Sequence, residues 1–362
     1  MDKRSLLIGL HASQGLGWKR IEQIVTRDDN WVHALDFSAA DWMERGLGAE
    51  LALSLSKTFT HNWLEARMER LRQLDIFPLT IFDPEYPLLM KEANRPPWVL
   101  YGKGHMKLLA APSVAMVGTR IPTAYGRKVC MMLTEALCER GFAIVSGLAR
   151  GIDGLCHEAA LQSGGMTVAV LGTAIDVVYP PENTSLYEMI AEQGLILSEY
   201  PPGTPGHPGL FPQRNRIIAG LAHGTVVVEA DARSGSLITA DAALEAGRDV
   251  FAVPGPITSP KSRGTLNLIK QGAKLVTEPK DILEEYEHLL PARPGMKEGN
   301  SLSIKLTDEE RRIYHMLEQD NCTLDELLNK TDWDFGHLHS VLLSLIMKKE
   351  VVQLPGSVYK VI

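Results

Sequence analysis

Ser113-Val114-Ala115-Met116-Val117-Gly118-Thr119-Arg120 is a short apolar run that stops at a glycine turn, and Tyr125–Arg140 after it has helical period. The unit then repeats. Further apolar runs lie at Ala143–Ser146, Thr167–Leu171, Leu195–Ser198, Thr225–Glu229, Val250–Val253 and Lys274–Val276. Helical stretches separate them at Ile152–Gln162, Ser185–Gln193, Arg214–Ala222, Ser236–Ala246 and Thr265–Lys270. Strands buried on both faces read as continuous apolar runs, and their alternation with helices predicts a doubly wound, mainly parallel α/β sheet of Rossmann-like type.

In such a sheet, ligands bind beyond the carboxyl ends of the strands. The turns there are therefore the candidate site. Gly118-Thr119-Arg120 follows the first strand, and Ser146-Gly147-Leu148-Ala149-Arg150-Gly151 the second. Ser234-Gly235-Ser236 opens a helix after the fifth strand, and Lys261-Ser262-Arg263 comes shortly after the sixth. Small residues let backbone amides approach an oxyanion, and helix starts favour one. Arginine or lysine close behind supplies the charge. Together these turns describe an elongated polyphosphate surface rather than one deep pocket. No G-x-G-x-x-G occurs after the first strand, which removes the main support for a dinucleotide-dependent oxidoreductase.

Gln213-Arg214-Asn215-Arg216-Ile217-Ile218-Ala219-Gly220 adds two arginines around an asparagine. No Asp or Glu occurs from Pro201 to Val228. Read as a helix start, uncompensated guanidinium groups there suggest an anionic partner, since planar forks suit phosphate oxygens. Pairing with distant carboxylates across the fold is the competing explanation. Three windows lack acids altogether: Ala93–Thr134, Tyr200–Val228 and Val250–Thr277. If folding gathers them, a chain of net charge −7 acquires one basic face. Tyr125, Tyr179, Tyr200 and Phe211 lie near the turns and are candidates for base stacking. Asp153 reads as a helix cap, with His157 one turn on as a packed histidine.

The remaining chain divides by pattern. Residues 1–75 read as short helices, in which Gln14-Gly15-Leu16-Gly17-Trp18 resembles the turn of a helix–hairpin–helix or SAM-type module. Phe77–Pro97 reads as a proline-rich break, and residues 76–290 as the Rossmann-like core. Residues 291–304 have linker composition. Residues 305–362 spell three helices and a hairpin, a winged helix whose recognition helix Phe335–Lys348 is poor in arginine. That favours protein contact over duplex reading. No run of about 18 apolar residues predicts a membrane span. Four cysteines without C-x-x-C spacing point to a reducing cytoplasm and to no metal site.

Val117-Gly118-Thr119-Arg120, Val145 through Asp153, Ala169 through Thr173, Ser198-Glu199-Tyr200-Pro201, Phe211 through Gly220, Ser234 through Ala240 and Gly247 through Gly255 occur in order. This series resembles the DprA (Smf) family of DNA-processing proteins. The resemblance implies a core that binds single-stranded DNA, protects incoming DNA in natural transformation and helps load the recombinase RecA. It also implies a homodimer with no catalytic residues and no cofactor. The DNA-binding set expected from turns and resemblance is Gly118, Thr119, Arg120, Ser146, Gly147, Arg150, Arg214, Asn215, Arg216, Ser234, Gly235, Ser236, Lys261 and Arg263. Cys156 and Ala174 depart from the family pattern without changing size much, and Thr184-Ser185-Leu186-Tyr187 lacks a lysine that some relatives place there. The alternative function is a Rossmann-like enzyme that binds or cleaves nucleotides, with Glu229 or Asp231 as its carboxylate.

Overall fold

A computed structural model describes residues 2–290, 307–319, 322–331, 333–348, 351–354 and 358–361. The linker expected at 291–304 and the wing turn at 355–357 lie outside them. Residues 2–290 form one compact unit, and the C-terminal residues a second.

The first unit begins with helices α1 (Lys3–Ala12), α2 (Trp18–Arg27), α3 (Ala39–Glu44), α4 (Ala49–Thr58) and α5 (His61–Gln73). Strand β1 (Phe77–Thr80), helix α6 (Leu88–Glu92) and strand β2 (Val99–Gly104) follow. The alternating core comprises β3 (Ser113–Val117), α7 (Ala124–Glu139), β4 (Ala143–Ser146), α8 (Ile152–Gln162), β5 (Met166–Leu171), α9 (Thr184–Gln193) and β6 (Leu195–Ser198). It continues through α10 (Leu210–Leu221), β7 (Gly224–Val227), α11 (Gly235–Glu245), β8 (Asp249–Ala252), α12 (Arg263–Lys270), β9 (Lys274–Leu275) and α13 (Lys280–Leu283).

The nine strands form one sheet in the order β1-β2-β6-β5-β4-β3-β7-β8-β9. Strands β3 to β9 pair in parallel, whereas β2 runs antiparallel to both β1 and β6. The expected parallel sheet is present, and each central strand is fully buried because helices cover both faces. The presumed break at Phe77–Pro97 is corrected. It contains β1, an edge strand, where Pro78 costs little because an edge position need not donate to a neighbour. Helices α1 to α5 share one apolar cluster with the sheet: Leu6, Leu10, Trp31 and Trp42 belong with Tyr101, Leu171 and Ile196.

The chain runs outward from β3 through β4, β5 and β6, then crosses back to β7 and runs the other way. Strands β3 and β7 are neighbours at this reversal. A crevice must open beyond their carboxyl ends, because the connections leave to opposite sides.

The second unit holds α14 (Asp308–Gln319), β10 (Cys322–Thr323), α15 (Leu324–Thr331), α16 (Phe335–Met347), β11 (Val351–Leu354) and β12 (Val358–Val361). Its sheet has the order β10-β12-β11, as a winged helix requires. Glu310 is buried at 3% exposure and accepts two 2.7 Å hydrogen bonds from Lys348 and one from Ser344. Burial pushes its pKa up, but Lys348, Ser344 and the Thr307 amide outweigh burial and bring it down to about 2. A carboxylate depressed in the folded state stabilises it fully above its ordinary pKa, and that stability is lost as pH falls through the folded value. Acid unfolding of the winged helix is therefore expected to steepen between pH about 4.5 and about 2. Circular dichroism of Glu310→Gln should show a flatter acid limb. An identical limb would remove Glu310 from the account.

Candidate nucleic-acid interface

The crevice at the β3/β7 reversal has a volume of about 690 Å³. Gly118, Thr119, Arg120, Arg214, Asn215, Ser234, Gly235 and Ser236 line it, together with Tyr179 and Phe211. Eight of the sequence-derived candidates thus meet at one place.

Arg120 is exposed at its rim and forms no ion pair among the described residues. Its backbone is fixed from below. Gly151 has φ +79°, and a Cβ there would press on the Thr119 and Arg120 carbonyls, so only glycine lets the second turn slide under the first. Ser234 caps α11 with its hydroxyl on the Ser236 amide, so this is a serine N-cap rather than a free amide nest. The Thr119 amide is likewise taken, donating to Glu229 O at 2.8 Å.

Two arginines behave differently from the sequence reading. Helix α10 starts at Leu210, not Arg214, because Pro212 is tolerated in a first helical turn. Arg214 therefore sits beyond that turn and points inward. It is buried at 5% exposure and donates from Nη1 to Gly147 O at 2.6 Å and to Val170 O. It ties the end of β4 to β5. Burial lowers its pKa to about 10, which still leaves it charged. Asp153 approaches it from α8, with its pKa raised by burial although Arg214 opposes the shift. Asp153 is not the cap of α8, which is Gly151; its carboxylate accepts instead from the Gly147 amide at 3.2 Å. Arg216 is no free phosphate ligand either. It donates to both oxygens of the buried Glu199 at 2.5 and 2.6 Å and to Arg95 O at 2.8 Å. The explanation by a distant carboxylate holds for Arg216.

Other expected ligands lie apart. Ser146 is fully buried and donates to Met116 O at 2.6 Å. Gly147 is buried beneath Arg214, whose guanidinium a Cβ would strike. Both are packing residues. Arg150 is exposed but paired with Glu182. Lys261 donates to Ile121 O, and its own carbonyl accepts from Ala230 N, so it stitches the loops after β3 and β7 together. Arg263 is exposed at the start of α12, outside the crevice lining.

Of the aromatic candidates, Tyr179 and Phe211 come together, with ring centroids 5.1 Å apart. Tyr179 is 48% exposed. Tyr125 donates to Pro254 O and Tyr200 lies elsewhere. Arg233, in the turn after β7 but outside the expected set, is exposed and free of ion pairs among the described residues.

The carboxylates offer little for catalysis. Glu229 is buried, and its oxygens accept from the Thr123 amide at 2.9 Å and the Thr123 hydroxyl at 2.5 Å, which caps α7. His157 is fully buried. Thr167 gives its hydroxyl proton to Ile144 O, so His157 donates to Thr167 from Nδ1, and burial holds its pKa down at about 3. Asp231 alone among the described lining carboxylates is exposed. No helix of the described residues is long and apolar enough to cross a membrane.

Residues 78–287 match the family model described as DNA recombination-mediator protein A, and residues 300–357 match the DprA winged helix domain. Protein Smf of Synechocystis is 37% identical over 78% of this chain and 79% of its own length. The crystal structure of DNA processing protein A from Streptococcus pneumoniae superposes with a TM-score of 0.70 at 38% identity, covering 79% of this chain and 99% of that one. A Helicobacter pylori structure, described as showing the single-stranded DNA binding mode of DNA processing protein A, gives 0.54 at 31% identity over 60% of this chain and 97% of that one. By sequence, by fold and by both of its units, the chain belongs to the DNA recombination-mediator protein A family, the DprA or Smf proteins.

Proposed function

We propose that the chain binds single-stranded DNA along the β3/β7 crevice, with Arg120 on phosphate and Tyr179 and Phe211 against bases. One observation carries this reading: an unpaired exposed guanidinium and an aromatic pair face the same open crevice at the sheet's reversal. Stacking on aromatic faces is tolerant of sequence, and a stacked base must be unpaired, which selects single strands. The H. pylori relative's single-strand binding supports the assignment. Arg233, exposed two residues from the lining Asp231, adds charge beside it.

Affinity is expected to fall linearly with salt on logarithmic axes, with a slope of roughly −0.7 per phosphate contact. Gel shifts with a single strand, a blunt duplex and mononucleotides over a salt series test it. Equal affinity for duplex and single strand, or a flat salt response, refutes the reading. Release of base or phosphate from a mononucleotide would instead favour the enzymatic alternative, with Asp231 as its carboxylate.

In the cell, the reading is of a cytoplasmic homodimer that protects incoming strands and hands them to RecA. Family membership supports this. Two joined crevices would raise avidity through effective concentration. Light scattering with and without a long oligonucleotide tests the dimer. RecA-filament assembly on strands coated with single-strand binding protein tests the hand-over. A strictly monomeric chain, or no stimulation of RecA, removes the corresponding part.

A further inference from the structure

A second cavity, of about 560 Å³, lies between the N-terminal helices and the core. Residues of the α1–α2 turn, with Trp18, form one wall. Trp98 packs on Trp18 in that wall, and the Tyr200–Pro205 loop with Gln213 and Arg216 of α10 forms the other. We propose that this cavity is a nucleotide site, with the base against the Trp18 and Trp98 wall and the phosphate at Arg67. It is distinct from the strand crevice and does not depend on that assignment.

The aromatic wall is fixed. Trp18 donates its indole N–H to Pro96 O at 2.7 Å, and Trp98 donates to Trp18 O at 3.1 Å. The ring centroids are 5.6 Å apart. With both N–H groups spent on backbone and Trp98 buried, the half-buried Trp18, backed by Trp98, is the ring that offers a ligand π surface, and planar heterocycles suit that. Polar groups stand opposite. Gln213 is exposed and touches Tyr200 OH at 3.4 Å through its carbonyl oxygen, which leaves its amide N–H groups for an incoming base edge. The Glu199–Arg216 pair supplies an acceptor and donors side by side, and the two charges cancel.

The charge that remains is Arg67. It is exposed, makes no ion pair among the described residues and sits 5.1 Å over the Trp63 ring. Stacking orients a guanidinium while leaving its donors open, a geometry suited to phosphate oxygens. Gly17 caps α2 on the same cavity without a side-chain bond, so amides there are also open to an anion. The volume falls within the roughly 300–1,000 Å³ usual for small-molecule sites. An apolar ligand would leave Arg67 and the ion pair unanswered, and a bare anion would leave the tryptophan wall unused.

The site also abuts the strand crevice. Phe211, Arg214 and Asn215 line that crevice, while Gln213 and Arg216 line this cavity, all within residues 211–216 of α10. The nucleotide can be free, or one unit of the bound strand.

Isothermal titration of the full chain with each common deoxynucleoside monophosphate, and with inorganic phosphate, tests the proposal. At least one monophosphate should bind, and phosphate alone at least about tenfold more weakly. Arg67→Ala should weaken the monophosphate about tenfold, the loss of one charge-assisted contact, and Gln213→Ala should weaken it as well. Both side chains are exposed, so an unchanged thermal midpoint is expected to accompany the loss. Arg120→Ala, in the strand crevice, should leave monophosphate binding unchanged. Competition by a saturating oligonucleotide identifies the strand as the source; its absence identifies a free nucleotide. No monophosphate binding, or binding that Arg120→Ala removes and Arg67→Ala spares, overturns the site.

Discussion

Arg120→Ala is expected to weaken single-strand binding by about tenfold or more while leaving the thermal midpoint near that of the unaltered chain. A charge-assisted hydrogen bond contributes on the order of 1.5–3 kcal/mol, and each 1.4 kcal/mol is about tenfold in affinity. Arg120 is exposed and its side chain makes no hydrogen bond or ion pair among the described residues, so its removal breaks neither. The local backbone is held by Gly151 beneath it and by the Thr119 amide on Glu229, neither of which the substitution touches. Adding Arg233→Ala should deepen the loss and reduce the salt slope by roughly 0.7 for each phosphate contact removed. Fluorescence anisotropy with a labelled oligonucleotide measures both. A folded double variant that binds normally would place the strand elsewhere.

Arg214→Ala should behave in the opposite way, losing stability first. Its guanidinium joins the ends of β4 and β5 through two carbonyls and lies beside the buried Asp153. Its loss leaves two buried carbonyls without their donor, at about 1–3 kcal/mol each, and takes away the charge that opposes the burial of Asp153. For a unit of this size, each kcal/mol moves the midpoint by roughly 2–4 °C, so a fall on the order of 10 °C is expected. Gly147→Ala should phenocopy it, because the new methyl group would enter the guanidinium's space. Differential scanning calorimetry decides. A midpoint near wild type with lost DNA binding would return Arg214 to the role of a direct phosphate ligand.

The contrast between these two arginines shows where sequence stops informing. The parallel strands were legible because each is a compact apolar run buried on both faces. β1 and β2 were not, since Pro78 in one and Gly102, Lys103 and Gly104 in the other blur the signal of a strand. Arg120 was legible as well: a charge just past a glycine turn at a strand end has nowhere to go but the rim. Arg214 and Arg216 depended on where α10 begins. A start four residues earlier turned one of them under the helix and the other toward Glu199, which stands just outside the acid-free window. The meeting of Tyr179 with Phe211 joins residues 32 apart in sequence, and only the sheet order brings them together.

The two margins of the large sheet set a rule for how copies of this chain can meet. At one side stands β1, four residues long and interrupted by Pro78, which has no amide hydrogen to offer. At the other stands β9, two residues long, with Lys274 bound to Glu284 and Glu285. Neither border offers the long, unpaired backbone ladder on which a foreign strand could dock, and a proline or a charged lysine at the rim further discourages it. If copies of this unit associate as proposed, side chains on helix surfaces, rather than a shared backbone ladder at these borders, must carry the contact, and there individual substitutions can tune or abolish it.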